Sequence, residues 1–316
     1  MTGNEIYEKI VKERRKDLFR SDLEVKMRRI GDRFDARLIR DVDSIHFLMP
    51  FIYPKRADNE GYINETIDLT EAMKFLEKKN AENDGYHYTM FQLVLTAVLK
   101  ILVLRPQLNR FIANGSMYQR NRISAAFTVK RKFEDTGDEG LAFISGLRVD
   151  TLDTIHQKMY EQIYQARKGS GGDAVDTINI FKKLPRFIGR TIIRFICFLE
   201  RHGIVFESLT EGDPGYASVM LSNLGSIGMK AGYHHLSNWG TNSIFVVIGK
   251  MEKRPFYDQD GKMDMRMSVD LGLTVDERIA DGYYYSKSVK LLKYLLEHPQ
   301  ELDRRLEEKP RMHKEK

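Results

Sequence analysis

The chain has 316 residues, 42% hydrophobic and 30% charged, the composition of an ordinary globular protein with material for one large domain or two smaller ones. No apolar run reaches the ~18 residues of a membrane-spanning helix, the charged start MTGNEIYEKIVKERRKD is no secretory signal, and the single cysteine, Cys197, excludes an internal disulfide and a thiolate metal cluster. The formal charge of +6 is spread among acids, without zinc-finger spacing or an aromatic RNA-binding motif, so nucleic acid is not an expected partner and cytoplasmic residence is the default.

Residues Asn4 to Ile30 read as a charged helix, with Ile6, Ile10, Leu18, Leu23 and Met27 at roughly helical intervals. A loop-rich stretch follows, punctuated by Pro50 and Pro54. Tyr62 to Ile67 is strand-like, and Leu69 to Lys79 is an amphipathic helix with Asp68 or Thr70 available as a cap. Met90 to Leu104 is apolar almost all round, which describes a buried helix stopped by Arg105-Pro106. Phe111 to Tyr118 and Ile123 to Val129 read as a hairpin, with an Asn114-Gly115 turn signal nearby.

Leu152 to Lys168 is a further helix, closed by Gly169-Ser170-Gly171-Gly172. Next, Lys182, Arg186, Arg190 and Arg194 recur every four residues and make a basic stripe. Apolar residues fill much of the rest of that helix, so residues 180–201 could pack on the domain or lie on an anionic membrane surface as a peripheral contact. The last third is β-rich. SVMLSNLG and SIFVVIGKMEKRP bracket a glycine-rich loop, and MDMRMSVDLGLTVDE alternates so that Met263, Met265, Met267, Val269, Leu271, Leu273 and Val275 share a face. Ser286 to Leu296 is a closing helix, and a charged tail ends the chain. The simplest division is an N-terminal helical extension (1–60), one α/β domain (61–303) and the tail (304–316).

The order of these segments resembles the catalytic domain of the 2-oxo acid dehydrogenase acyltransferases (E2) and, more distantly, chloramphenicol acetyltransferase. The resemblance is carried by LVLTAVLKILVLRPQLNRFI, by SNLGSIG at Ser222 to Gly228, by FVVIGKMEKRP and by VDERIADGYYYSKSVKLLKYLLEHPQEL. It implies a two-layer α/β fold with a mixed sheet covered by helices. It also implies a homotrimer with active sites between subunits, and coenzyme A or acyl-CoA as a substrate. Three departures accompany it: no lipoyl or subunit-binding segment precedes the domain, the stretch from Asp173 to Gly215 is longer than in the family, and the family's His-x-x-x-Asp-Gly signature reads Glu277-Arg278-Ile279-Ala280-Asp281-Gly282.

Acyl transfer needs a base for the acceptor and a donor for the tetrahedral oxyanion. The resemblance implies that Glu277 stands at the base's position, that Ser222 (or, with the register open by a few residues, Ser218) supplies the hydroxyl, and that Asp281 holds local geometry by pairing with an arginine. Asn223, Gly225 and Tyr283 are the accompanying cofactor-side candidates; Asn223 and Gly225 read equally well as turn residues and Tyr283 as a core or subunit contact. Glu277 reads in three ways: a desolvated carboxylate replacing the histidine, an ion-paired and inert one, or a bystander in a site rebuilt around His87, His234 or His235. No metal-ligand spacing accompanies the His pair. The function expected is a stand-alone acyltransferase acting on a small-molecule or lipid acceptor; the alternative is a non-catalytic trimer that binds a ligand or serves as a scaffold.

Overall fold

The computed structural model describes residues 29–130, 139–167, 184–205 and 213–311. The expected N-terminal helix, Lys182 of the basic stripe and the Gly169–Gly172 closure lie outside the described residues. A mixed sheet forms the body. Its strands are β2 (Glu60–Asp68), β5 (Ile123–Lys130), β6 (Glu139–Gly146), β7 (Val219–Asn223), β8 (Ile244–Ile248), β9 (Glu252–Tyr257) and β10 (Met263–Asp276), in the order β2-β10-β8-β7-β5-β6 with β9 alongside β10. β7 runs parallel to β5 and β8, and the other pairings are antiparallel. A small sheet of β1 (Ala36–Leu38), β4 (Ser116–Arg120) and β3 (Arg110–Ala113) stands beside it.

Four helices cover one face: α2 (Thr70–Ala81), α3 (Met90–Leu104), α4 (Leu152–Arg167) and α6 (Gly282–Glu297). The buried helix expected from the sequence is α3. Thr89 and Gln92 cap it reciprocally, and its one charge, Lys100, is fully buried. The Lys100 ammonium donates to the carbonyls of Glu301 (3.1 Å) and Arg305 (2.7 Å), tying α3 to the turn after α6. Burial holds its pKa down to about 8. On the sheet's opposite face Phe245, Val247 and Leu236 form a smaller apolar cluster under the loop that follows β7.

Three local expectations need correction. Asn114-Gly115 is itself the hairpin turn, joining β3 to β4, while Ile123–Lys130 leaves for the large sheet and pairs with β6. The stretch with Pro50 is not all loop: α1 (Ser44–Ile52) forms there, capped by the Asp43 carboxylate, with Pro50 inside its last turn. Finally, the alternating face of β10 is buried only from Val269 onward. Met263 and Met265 sit where β10 pairs with β9 alone, in a ribbon that extends past β2, so nothing covers them.

Candidate active site

β10 ends at Asp276, and the chain turns through Glu277 to Ala280 before α6 begins. Two side chains fix this turn. Arg278 grips the Asp276 carboxylate through Nε and Nη2, both at 2.8 Å, and also donates to the Tyr53 carbonyl at 3.0 Å. Asp276 is fully buried and Arg278 nearly so. Arg56, also buried, approaches Asp276 at 3.9 Å while donating to the carbonyls of Ser237 (2.5 Å) and Gly240 (2.9 Å). Tyr285 donates its hydroxyl to the Asp276 carbonyl at 2.8 Å. Burial, with Asp276 and Glu277 close by, pushes that phenol well up, so it stays a donor.

Because residues 276 and 278 are clasped inward, the residue between them is turned out. Glu277 is exposed: β10 stops at Asp276, so its buried alternation ends at Val275. Its backbone N–H donates to the Asn59 carbonyl at 3.1 Å, and its side chain lies across Gly61. A Cβ at Gly61 would stand 2.8 Å from Glu277 Oε1, so a larger residue there would shift the exposed carboxylate from this resting place. Gly61 pairs with Val275, whose side chain joins the core under the helices, which sets Glu277 on the helix-covered side of the sheet's edge.

Asp281 is also corrected. Its carboxylate does not hold an arginine; it caps α6, accepting from the Tyr284 N–H at 2.7 Å. The arginine-bound acid of the turn is Asp276. Tyr283 is exposed at the start of α6, with the Lys287 ammonium 4.5 Å over its ring. Its neighbour Tyr284 is the one locked in place, under the Arg105 guanidinium at 3.7 Å.

The Ser-Asn-Leu-Gly segment lies elsewhere in the chain. Ser222 is half-buried near the end of β7. Asn223 caps the following turn, accepting from the Ser226 N–H at 3.2 Å, a structural role. A Cβ on Gly225 would come within 2.4 Å of the Gly249 carbonyl oxygen, so its bare backbone serves loop packing. Ser218 is fully buried and exchanges hydrogen bonds with Ser124, each hydroxyl accepting from the other's N–H at 3.1 Å, which takes it out of contention as a ligand group.

Register measures the separation. Ser222 pairs with Val247, and Val247 with Gly272, five positions before Glu277 on β10. At ~3.3 Å per residue that is roughly 17 Å along the sheet. One chain therefore gathers Glu277, Asp281 and Tyr283 at one place and Ser222, Asn223 and Gly225 at another. His234 stacks on Phe245 at 4.5 Å, on the sheet face opposite the side chains of Val275 and Gly61's partners, and His235 and His87 are exposed. What sequence reasoning missed is Gly61 and the Asp276–Arg278 clasp; the Asp-x-Arg spacing was the available signal for the clasp, and nothing in the sequence ties Gly61 to the turn.

Residues 207–303 match the model of the family described as 2-oxoacid dehydrogenases acyltransferase (catalytic domain). Among solved structures, the dihydrolipoamide acetyltransferase (E2p) of Azotobacter vinelandii is 17% identical, with a TM-score of 0.57 over 84% of this chain and 94% of that one. In that enzyme a serine, a histidine and an asparagine were investigated for their role in the catalytic mechanism. The cubic core of a pyruvate dehydrogenase multienzyme complex gives 16%, 0.56, 84% and 94%. A truncated catalytic core of the 2-oxoacid dehydrogenase complex from Thermoplasma acidophilum gives 16%, 0.51, 83% and 98%. No curated protein matches the sequence. The resemblance read from the sequence thus holds, as does the mixed α/β fold of these acyltransferase cores.

Proposed function

We propose that this chain, which carries the fold of the E2 acyltransferase cores, transfers an acyl group from acyl-CoA to a small-molecule or lipid acceptor, with Glu277 as the base. The supporting observation is the turn that holds Glu277 outward, at the place where the sequence resemblance would put the family's base. In the Azotobacter enzyme the histidine and asparagine are four positions apart, the spacing of Glu277 and Asp281 here. In the reaction the Glu277 carboxylate takes the proton of the acceptor as its heteroatom attacks the thioester carbonyl. The resulting oxyanion accepts a hydrogen bond from a Ser222 hydroxyl. Collapse of the intermediate expels the CoA thiolate, which recovers the proton from Glu277.

The separation of Ser222 from Glu277 favours a site shared between copies, with Ser222 contributed by a neighbour, which accords with the homotrimer that the resemblance implies. Docking would also strip water from Glu277, and a desolvated carboxyl is a stronger base. Exposed apolar side chains on α1, among them Ile45, Phe47, Phe51 and Ile52, offer surface for such assembly. Release of free thiol from a panel of acyl-CoAs tests the reading. We expect turnover that falls by a factor of about a hundred or more in Glu277→Gln and in Ser222→Ala. Turnover unchanged in Glu277→Gln would sink the mechanism, and no turnover with any donor would favour the non-catalytic ligand-binding or scaffold alternative.

The helix α5 (Arg186–Arg201) supports a peripheral membrane contact in addition to a cytoplasmic location. It exposes Phe187, Phe195 and Phe198 beside Arg186, Arg190 and Arg194, while Ile188, Ile192, Ile196 and Leu199 are half-buried. Aromatic insertion next to cations is the pattern of an interfacial helix on anionic lipid. Co-sedimentation with phosphatidylserine vesicles should drop when the three arginines are changed to glutamine; equal binding of the variant counts against the contact.

A further inference from the structure

Behind the Glu277 turn, between the sheet and helices α3 and α6, lies a small cavity of about 50 Å³ that opens toward solvent. Its walls include Ile63 of β2, Leu102 of α3, Leu273 and Val275 of β10, and Val289 and Leu292 of α6. Its two polar residues are occupied elsewhere. The Ser288 hydroxyl donates to the Tyr284 carbonyl at 2.7 Å and accepts from Arg105 Nε at 3.1 Å, and the Tyr285 hydroxyl is spent on Asp276. A ligand in this cavity would therefore meet only hydrocarbon.

The position of the cavity matters as much as its lining. Glu277 rests on Gly61, and Ile63 is the next residue along β2 on the same face. Two residues of strand span ~7 Å, about the reach from a thioester carbonyl into the body of its acyl chain. The half-buried Ile63 and Val289 stand at the accessible side of the cavity. Val275, the last wall residue on β10, is two positions before Glu277.

We propose that this cavity receives the aliphatic chain of the acyl group, so that the protein prefers acyl donors longer than acetyl. This rests on the acyl-transfer reading for its meaning, although the cavity's affinity for a chain can be measured apart from turnover. The walls carry no donor for a hydroxyl or carboxylate and no broad aromatic slot, which points to a saturated chain, straight or branched. Each methylene entering such a site adds about fourfold in affinity.

The experiment titrates the full chain with N-methylbutanamide, N-methylhexanamide and N-methyloctanamide, uncharged mimics of an acyl thioester, followed by the NMR shifts of valine, leucine and isoleucine methyls. Affinity should climb about fourfold per methylene until the cavity is full. Val289→Phe, which blocks the accessible side, should abolish the climb; Ile63→Phe gives the same readout if Val289→Phe does not fold. Affinity independent of chain length, or a climb that survives both substitutions in folded protein, overturns the proposal. A parallel series of acetyl-, butyryl- and hexanoyl-CoA separates the two ideas. Chain-dependent amide binding without any turnover leaves the pocket standing and removes the acyl-transfer reading; turnover with no chain preference and no amide binding does the reverse.

Discussion

Replacing Arg278 by methionine tests the account of the turn most directly. Methionine keeps the length and apolar stem of the side chain but leaves Asp276, which is fully buried, without the two 2.8 Å hydrogen bonds it accepts from the guanidinium. Breaking a buried ion pair from one side costs about 3–5 kcal/mol, because the remaining charge is left uncompensated. Arg56 Nε, 3.9 Å from Asp276 and without a hydrogen bond of its own, can move toward the orphaned carboxylate, which sets the expectation at the lower end, about 3 kcal/mol. For a urea slope of ~3 kcal/mol/M this lowers the unfolding midpoint by about 1 M, read by circular dichroism at matched protein concentration. The double variant Asp276→Asn/Arg278→Met removes both charges and should recover at least ~1 kcal/mol of the loss. A single-variant loss below ~1 kcal/mol, or a double variant weaker than the single, would show that the clasp does not hold the turn.

Two further outcomes follow from the body of the fold. Lys100 has its pKa held near 8, below the ordinary 10.5, so between those values the unfolded chain keeps a proton that the folded chain sheds. Raising the pH through that window should therefore add stability, on the order of 2 kcal/mol, and Lys100→Met should remove this rise when unfolding midpoints are compared at about pH 7.5 and 9.5. A Cβ at Gly272 would stand 2.1 Å from the Gly232 carbonyl oxygen, so Gly272→Ala should lose at least ~2 kcal/mol in thermal unfolding. Gly261→Ala is the comparison: its φ of +77° carries a strain of about 1–2 kcal/mol, but nothing lies within 4 Å to be displaced.

Much of this was legible in the sequence where a long segment has one answer. A helix apolar on every side, such as α3, can only be buried, and the alternation of β10 with a turn and capped helix after it names its own geometry. Legibility failed where the outcome depended on partners remote in sequence. Ile123–Lys130 has the pattern of a strand but no local sign of which sheet takes it. Met263 and Met265 share the alternation of Val269 and Val275, yet β2 ends before it reaches them. In VDERIADG three acids surround one arginine, and spacing alone does not say that Asp276 wins it while Glu277 is turned out and Asp281 caps a helix. The outward turn of Glu277 depends on that result.

The rest of Glu277 on Gly61 has a consequence for how this protein could change over time. Position 277 carries no share of the core, and its neighbours secure the turn whatever side chain stands there. A change of side chain at such a place alters the available proton chemistry while leaving folding almost untouched. The bare backbone of Gly61 acts from the other side, since a larger residue there would shift the group resting on it. The two positions are therefore coupled through the place where the side chain at 277 rests, and not through the fold that displays it.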